Sequence, residues 1–376
     1  MTAPDPAPQA TRPVLPVRPE LAGEVPYGAP QLDVPVLLNV NENPYAPSPE
    51  VVADIAAAVA EAATGLNRYP DREFLALRAD LADYLAVESG VRLEPEQVWA
   101  ANGSNEVMLH LLQAFGGPGR TAVSFAPTYS MYPEYARDTH TRWVAGRRTE
   151  QFDVDPAEAR TLVAREAPSV VLLTSPNNPT GTALDLATVR EVLDAAAEVP
   201  GGCVVVVDEA YAEFRREGVD SALTLLAEHP HLAVSRTMSK AFGLAGARVG
   251  YLAASRELVD ALRVVRLPYH LSAVTQATAR AALRHAPELM AQVGSLRAER
   301  DGLVATLRGR GLRVAESDAN FVLFQVHGDR HEIWQGLLDR GVLIREVGPE
   351  GWLRVSVGTP EETAALTAAL WEVLGT

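Results

Sequence analysis

Lysine and cysteine are almost missing from this 376-residue chain, and a long apolar run is missing altogether. Cys203 is the single cysteine, which excludes a disulfide within the chain and a cysteine metal cluster; set in the run CVVVV, it reads as a small buried hydrophobe. No segment approaches the roughly 20 apolar residues that a membrane helix needs. The amino terminus carries Asp5 and scattered prolines where a secretory signal would place an apolar core, so the expectation is a cytoplasmic protein. Basic residues are outnumbered, 33 Lys and Arg against 48 Asp and Glu, and the formal charge is −15. No basic stretch could replace phosphate counterions, which excludes nucleic acid as a partner and leaves the acidic surface to serve solubility. HExxH, a G-x-S-x-G elbow and a GxGxxG turn after a strand are all absent. His327 and His331 have the spacing of a helical metal pair, but Gly328 intervenes and no third ligand follows, so no metal is expected.

What is present stands out against these absences. Lys240 is the only lysine, and the remaining basic side chains are arginine. A guanidinium stays protonated at any working pH, whereas a partly desolvated lysine can lose its proton, attack a carbonyl carbon and form an imine. A lone straggler on an arginine-rich surface is the alternative reading, and the neighbourhood argues against it. Lys240 sits in SRTMSKAFGLAGARVGY, where Thr237 and Ser239 supply hydroxyls and the small residues from Ala241 to Ala247 let a ligand approach the backbone.

A chain with 47% hydrophobic residues buries a large core, and its length suits one large domain plus a smaller one. Eight prolines within residues 1–30 prevent regular pairing and predict an extended arm over 1–40. Ser48-Pro49-Glu50 reads as a cap, a first-turn proline and a first-turn acid opening a helix that stops near Gly65; a second helix runs from about Glu73 to Gly90. β-branched runs at Thr121–Phe125, Val170–Thr174, Cys203–Val207 and Leu232–Ser235 alternate with helical stretches such as Asp185–Glu198. The pattern predicts an α/β fold with a mainly parallel sheet across a large domain, 41–270. After Pro268 come long helices over Ala273–Arg310, then shorter strands and helices to the end, predicting a smaller α+β domain, 271–376.

Ligands in open α/β sheets collect at the carboxyl ends of strands. Here SPNNPTG (175–181) follows the second run, DEAY (208–211) the third and RTMSK (236–240) the fourth, so asparagine, aspartate, tyrosine and lysine fall on successive turns. Asp208 follows four valines directly, a buried address where a carboxylate needs a cationic partner; a core arginine would be the purely structural choice.

With these residues the chain resembles the fold-type-I pyridoxal-phosphate aminotransferases, and within them the histidinol-phosphate aminotransferase family, from about Pro26 to the carboxyl terminus. SPNNPTG, VVVVDEAY, RTMSKAFGLAGARVGY, GSNE (103–106) and WLRVSVG (352–358) carry the resemblance as an ordered set. It implies a large three-layer domain with a mostly parallel sheet plus the smaller α+β domain, and pyridoxal 5'-phosphate as cofactor. By that resemblance Lys240 bonds the cofactor and then moves a proton, and Asp208 pairs with the pyridine nitrogen, keeping the ring an electron sink. Asn178 and Tyr211 hydrogen-bond the ring oxygen, and Tyr129 of APTYSMY stacks on the ring, with core packing as its bland alternative. The phosphate is expected on Ser104 and Asn105 at the amino end of an apolar helix, with Thr237, Ser239 and Arg248 completing the cradle. Tyr69 of NRYP would reach the phosphate of a neighbouring subunit, making a homodimer with shared sites.

Arg354 corresponds to the arginine that clamps a substrate carboxylate, a bidentate task. PYGAP (26–30), NVNENPY (39–45), RLPYHLS (266–272) and VLIRE (342–346) match the histidinol-phosphate branch. They imply Tyr27 and Arg345 on the substrate phosphate, with Asn41 and Tyr269 lining the pocket. The implied reaction converts L-histidinol phosphate and 2-oxoglutarate to imidazole-acetol phosphate and L-glutamate, a step of histidine biosynthesis. Three rivals remain open at this point: an aromatic-amino-acid aminotransferase of the same branch, a decarboxylase of a phosphorylated amino acid, and a non-catalytic aminotransferase-like binding module.

Overall fold

The computed structural model describes residues 15–375; the earlier part of the expected arm lies outside the described residues. The chain runs through a short strand β1 (Val36–Leu37), helices α1 (Pro49–Ala63) and α2 (Leu75–Ser89), strand β2 (Val98–Ala101) and helix α3 (Ser104–Phe115). Strands and helices then alternate as β3 (Thr121–Ala126), α4 (Met131–Asp138), β4 (Arg142–Arg147), α5 (Pro156–Glu166), β5 (Val170–Thr174) and α6 (Leu186–Ala197). Next come β6 (Val204–Asp208), β7 (Leu232–Thr237), β8 (Gly250–Ala254), α7 (Arg256–Val265), α8 (Ala273–Arg284) and α9 (Ala286–Gly309). The chain finishes with β9 (Phe321–Gln325), α10 (Arg330–Leu338), β10 (Val342–Leu343), β11 (Trp352–Ser356) and α11 (Pro360–Leu374).

Seven strands form the large sheet in the order β2-β8-β7-β6-β5-β3-β4, and only β8 runs against its neighbours. VVLLT in β5 and VVVVD in β6 lack polar alternation because both faces of this sheet are covered and every residue is buried. Register then fixes what lies at their ends: Thr174 pairs with Asp208, and Asp208 with Ser235, so three neighbouring strands end level with one another. The helix starts follow their local chemistry. Ser48 Oγ accepts from the Val51 amide at 3.3 Å ahead of Pro49. Thr359 and Glu362 close a reciprocal capping box on α11.

A second core gathers Leu303, Leu307, Val322, Phe324, Leu353, Val355, Leu366 and Leu370 around the antiparallel pair β9–β11. Leu38, just past β1, joins it, and β1 pairs in parallel with β10, so the end of the arm is stitched to the far end of the chain. The exchange of cores falls inside α9. Leu289, Val293 and Leu296 pack with the large sheet, and Leu303 with the small one, about 35 residues beyond the change of texture at Pro268. The long helical stretch expected after Pro268 is two helices, α8 and α9, meeting at His285.

Candidate active site

A cavity of about 880 Å³ opens at the carboxyl ends of β5, β6 and β7, between the large sheet and the small core. Tyr27, Asn41, Ser104, Asn105, Tyr129, Asn178, Asp208, Tyr211, Thr237, Ser239, Lys240, Arg248, Arg345 and Arg354 all line it. Residues up to 327 positions apart thus meet because parallel strands place successive turns at one sheet edge.

Three charged groups set the electrostatics. Lys240 Nζ donates to the Val40 carbonyl at 3.0 Å. Burial, helped by the Arg354 guanidinium, brings its ammonium down to about 8, within reach of neutral working pH. Burial pushes Asp208 the other way, up to about 6. The core arginine that might have satisfied Asp208 is Arg236 on β7, but its guanidinium pairs with Glu209 at 2.8 Å. Among the described residues no Arg, Lys or His side chain bonds Asp208, so the carboxylate is left facing the cavity without a cation. Arg354 is brought down to about 10 by burial, with Arg345 adding repulsion. Arg354 Nη1 donates to Asn178 Oδ1 at 2.5 Å and Nη2 to the Asn39 carbonyl at 2.8 Å, while Nε has no partner among the described residues. Arg345 and Arg354 exchange backbone hydrogen bonds of 2.9 Å in an antiparallel bridge, which holds two guanidinium-bearing positions side by side.

An anion cradle lies at the other end. Gly103 caps α3 with φ 80°. A side chain there would collide with the Arg248 guanidinium, and one at Gly250 would collide with the Gly103 backbone, so both glycines are needed for the close approach. The free amides at the start of the 12-residue helix α3 favour negative charge. Thr237 Oγ1 bonds Ser239 Oγ at 3.0 Å, and Arg248 Nη1 reaches Ser239 Oγ at 3.5 Å. Donors and a guanidinium therefore converge from three chain segments, a donor set fitted to a phosphate. Between the two ends, Tyr211 OH accepts from Asn41 Nδ2 at 3.0 Å and keeps its own hydrogen to give. Tyr129 OH donates to Asn105 Oδ1 at 3.3 Å.

Two further residues named by the resemblance lie outside this cavity, Tyr69 being the one implied for a neighbouring subunit. Tyr69 and Tyr269 stack on each other on the outer surface, ring centroids 4.4 Å apart, with Tyr69 79% exposed and Tyr269 39% exposed. The resemblance implies Tyr269 as a pocket-lining residue; it is not among the residues lining this cavity, and its backbone is left-handed, φ 61°. Tyr132 is a site residue that no local motif marks: its hydroxyl meets Asp208 Oδ2 at 3.0 Å, and it stands in the same APTYSMY stretch as Tyr129. Nor does a local motif mark the way the arm is held. Glu24 pairs with Arg137 at 3.3 Å, and His140 bonds both Arg18 (2.6 Å) and Glu20 (3.1 Å), bringing Tyr27 within 3.1 Å of Ser130 Oγ at the cavity mouth. The isolated charges Arg18, Glu20 and Glu24 in a proline-rich arm are the available signal, and their partners Arg137 and His140 lie more than a hundred residues away.

Residues 34–370 match the family model of class I and II aminotransferases. A histidinol-phosphate aminotransferase of Thermobifida fusca strain YX is 62% identical over 361 residues, covering 96% of each chain. One from Bifidobacterium longum is 57% identical over 373 residues, covering 96% of this chain and 97% of that one. Among solved structures, the histidinol-phosphate aminotransferase of Sinorhizobium meliloti, crystallised with pyridoxal-5'-phosphate, superposes with a TM-score of 0.83 at 24% identity, covering 97% of this chain and 99% of that one. Thermus thermophilus aspartate aminotransferase with maleate superposes at 0.77 and 25% identity, covering 91% of both chains. The chain belongs to the class I and II aminotransferases and, within them, to the histidinol-phosphate aminotransferase family.

Proposed function

We propose that the protein is a pyridoxal-phosphate-dependent transaminase that moves the amino group of L-histidinol phosphate to 2-oxoglutarate, giving imidazole-acetol phosphate and L-glutamate. The observation that carries this reading is the convergence, in one cavity, of a lysine with a lowered pKa, a buried carboxylate with no cation bonded to it among the described residues, and a helix-end anion cradle. Pyridoxal phosphate, when bound, supplies an electron-withdrawing ring that accepts negative charge from the donor carbon. Ser104, Asn105, Thr237, Ser239 and Arg248 would hold its phosphate, Asp208 its pyridine nitrogen, Asn178 and Tyr211 its ring oxygen, and Tyr129 its face.

Lys240 has two tasks. As the neutral amine it would be the nucleophile that holds the cofactor, and when released Nζ would serve as the base that takes up and returns the proton of the donor carbon. Arg354 and Arg345 supply positive charge on the substrate side. One substrate brings a dianionic phosphate and the other two carboxylates, and a pair of guanidinium groups serves both. Tyr27 adds a hydroxyl from the arm, and Asn41 lines the same wall. We further propose a homodimer, in which the exposed Tyr69–Tyr269 pair completes the partner's site, and a cytoplasmic location.

The test is a side-by-side amino-donor assay with histidinol phosphate, phenylalanine and tyrosine against 2-oxoglutarate. A specificity constant highest for histidinol phosphate is expected. A preference for phenylalanine replaces this reading with an aromatic-amino-acid aminotransferase, and carbon dioxide release from a phosphorylated amino acid replaces it with a decarboxylase.

A further inference from the structure

Asp208 has an unusual set of neighbours for a carboxylate that has to stay ionised. Its Oδ1 accepts from the Ala210 amide at 3.2 Å, and its Oδ2 meets the Tyr132 hydroxyl at 3.0 Å. The titratable groups that act on it are Glu209, the next residue in the chain, Tyr129, Tyr132 and Tyr135 from α4 and its lead-in, and Tyr211 from the following turn. Glu209 repels it, and the four phenols, three buried and Tyr129 partly so, are held neutral, their pKa values raised by desolvation. Of the phenols, only Tyr132 hydrogen-bonds it.

The direction of that bond can be deduced. An ionised carboxylate only accepts, so Tyr132 spends its single hydrogen on Asp208. Tyr132 OH also lies 2.7 Å from Thr174 Oγ1, so Thr174 must be the donor in that pair. Thr174 has then spent its own hydrogen, and its 3.2 Å contact with Thr128 Oγ1 is one in which Thr128 donates. Each hydroxyl polarises the next towards the carboxylate. Tyr132 and Thr174 are buried, and Thr128 and Thr174 sit on the cavity wall.

We propose that Tyr132 is a positioning residue that keeps Asp208 anionic, at the end of a one-way chain of hydroxyl donors running Thr128, Thr174, Tyr132, Asp208. The consequence for function rests on the transaminase reading, because a protonated Asp208 could not hold positive charge on the pyridine nitrogen. The chain itself does not depend on that reading. Burial already lifts Asp208 to about 6, close enough to neutrality that losing one donor would leave much of the protein with a neutral carboxyl at working pH.

The experiment uses full-length protein freed of cofactor and labelled with ¹³C at the aspartate carboxyls. The Asp208 resonance is identified by its loss in Asp208→Asn and followed against pH. Tyr132→Phe keeps the ring and removes the hydroxyl, and its Asp208 midpoint is expected to rise by about one to two pH units, the scale for losing a hydrogen bond to a charged group. Thr174→Val, which removes only the upstream donor, should shift it the same way by less. With cofactor restored, Tyr132→Phe should lower kcat while the donor KM changes little. An unmoved midpoint in both variants overturns the proposal, and a shift in Tyr132→Phe alone overturns the relay while leaving the positioning role. If Tyr132→Phe does not fold, Thr174→Val decides by itself: a raised midpoint supports the chain and an unmoved one overturns it. Because the titration needs no turnover, a parent enzyme that failed to transaminate histidinol phosphate would defeat the proposed function without touching this result.

Discussion

Lys240 Nζ and the Val40 carbonyl oxygen lie 3.0 Å apart, mooring the only side-chain primary amine to the segment that joins the arm to α1. Borohydride treatment of the cofactor-loaded protein should therefore label Lys240 and no other side chain, read by peptide mapping. At about 8, roughly one amine in ten is neutral at pH 7, against about one in three thousand for an ordinary lysine. The rate at which the cofactor-free protein captures pyridoxal phosphate is expected to climb about tenfold per pH unit below 8 and level off above it. Arg354→Gln removes a repelling charge, so the plateau should move to higher pH. Between about 8 and 10.5 the unfolded chain binds the extra proton, so the contribution of this group rises with pH across that window, and its burial cost is fully present below 8.

Gly103→Ala places a methyl group against the Arg248 guanidinium at a backbone angle of φ 80°. The cradle must open or Arg248 must swing away, and either costs phosphate contacts. Cofactor retention, measured by equilibrium dialysis, should weaken at least about tenfold, which is about 1.4 kcal/mol. Unchanged retention would show that the phosphate is held elsewhere.

Arg345 is only half-buried and donates to the Gly28 carbonyl at 3.2 Å, so solvent screens it more than it does Arg354. Arg345→Ala is accordingly expected to reduce kcat/KM for histidinol phosphate by about 1–2 kcal/mol, at the lower end for losing one partner of an ion pair. Phenylalanine, which brings no phosphate, should lose much less. Equal losses on both substrates would remove Arg345 from phosphate recognition.

The arm is clasped to α4 by exposed charge, through Glu24–Arg137 and the Arg18–His140–Glu20 cluster. Each such pair is weak and screened by salt. Arg137→Ala should raise the histidinol-phosphate KM about two- to fivefold with kcat little altered, and high salt should do the same to the parent but add less to the variant, in which only the Arg18–His140–Glu20 cluster is left to screen. A KM indifferent to both would mean that Tyr27 is placed without the clasp.

Much of this site could be read in the chain because its chemistry is local. A strand that ends in aspartate after four valines, a glycine before an apolar helix and a lysine flanked by hydroxyls each announce a function within a few residues, and parallel pairing obliges their turns to meet. The strands β2, β4 and β8 were not foreseen. WAA and YLAA carry no distinctive period, and RWVAGR lies at the sheet edge with exposed arginines. The exchange of cores was hidden for a related reason: α9 runs unbroken through it, and helical periodicity does not say which core a turn packs against.

The alternation of strands and helices around β3, β5, β6 and β7, the chemical types at the strand ends and the membership of the family are legible in the chain alone. Only the tertiary structure decided that Arg236 pairs with Glu209 and leaves Asp208 to Tyr132, that Asn178 accepts from Arg354, and that Tyr69 and Tyr269 face outward together. These are choices among chemically equivalent partners. Arg236 offers the same guanidinium to either neighbouring carboxylate, and adjacent residues of a strand point to opposite faces, so the pairing follows from which face each side chain occupies once the sheet is packed.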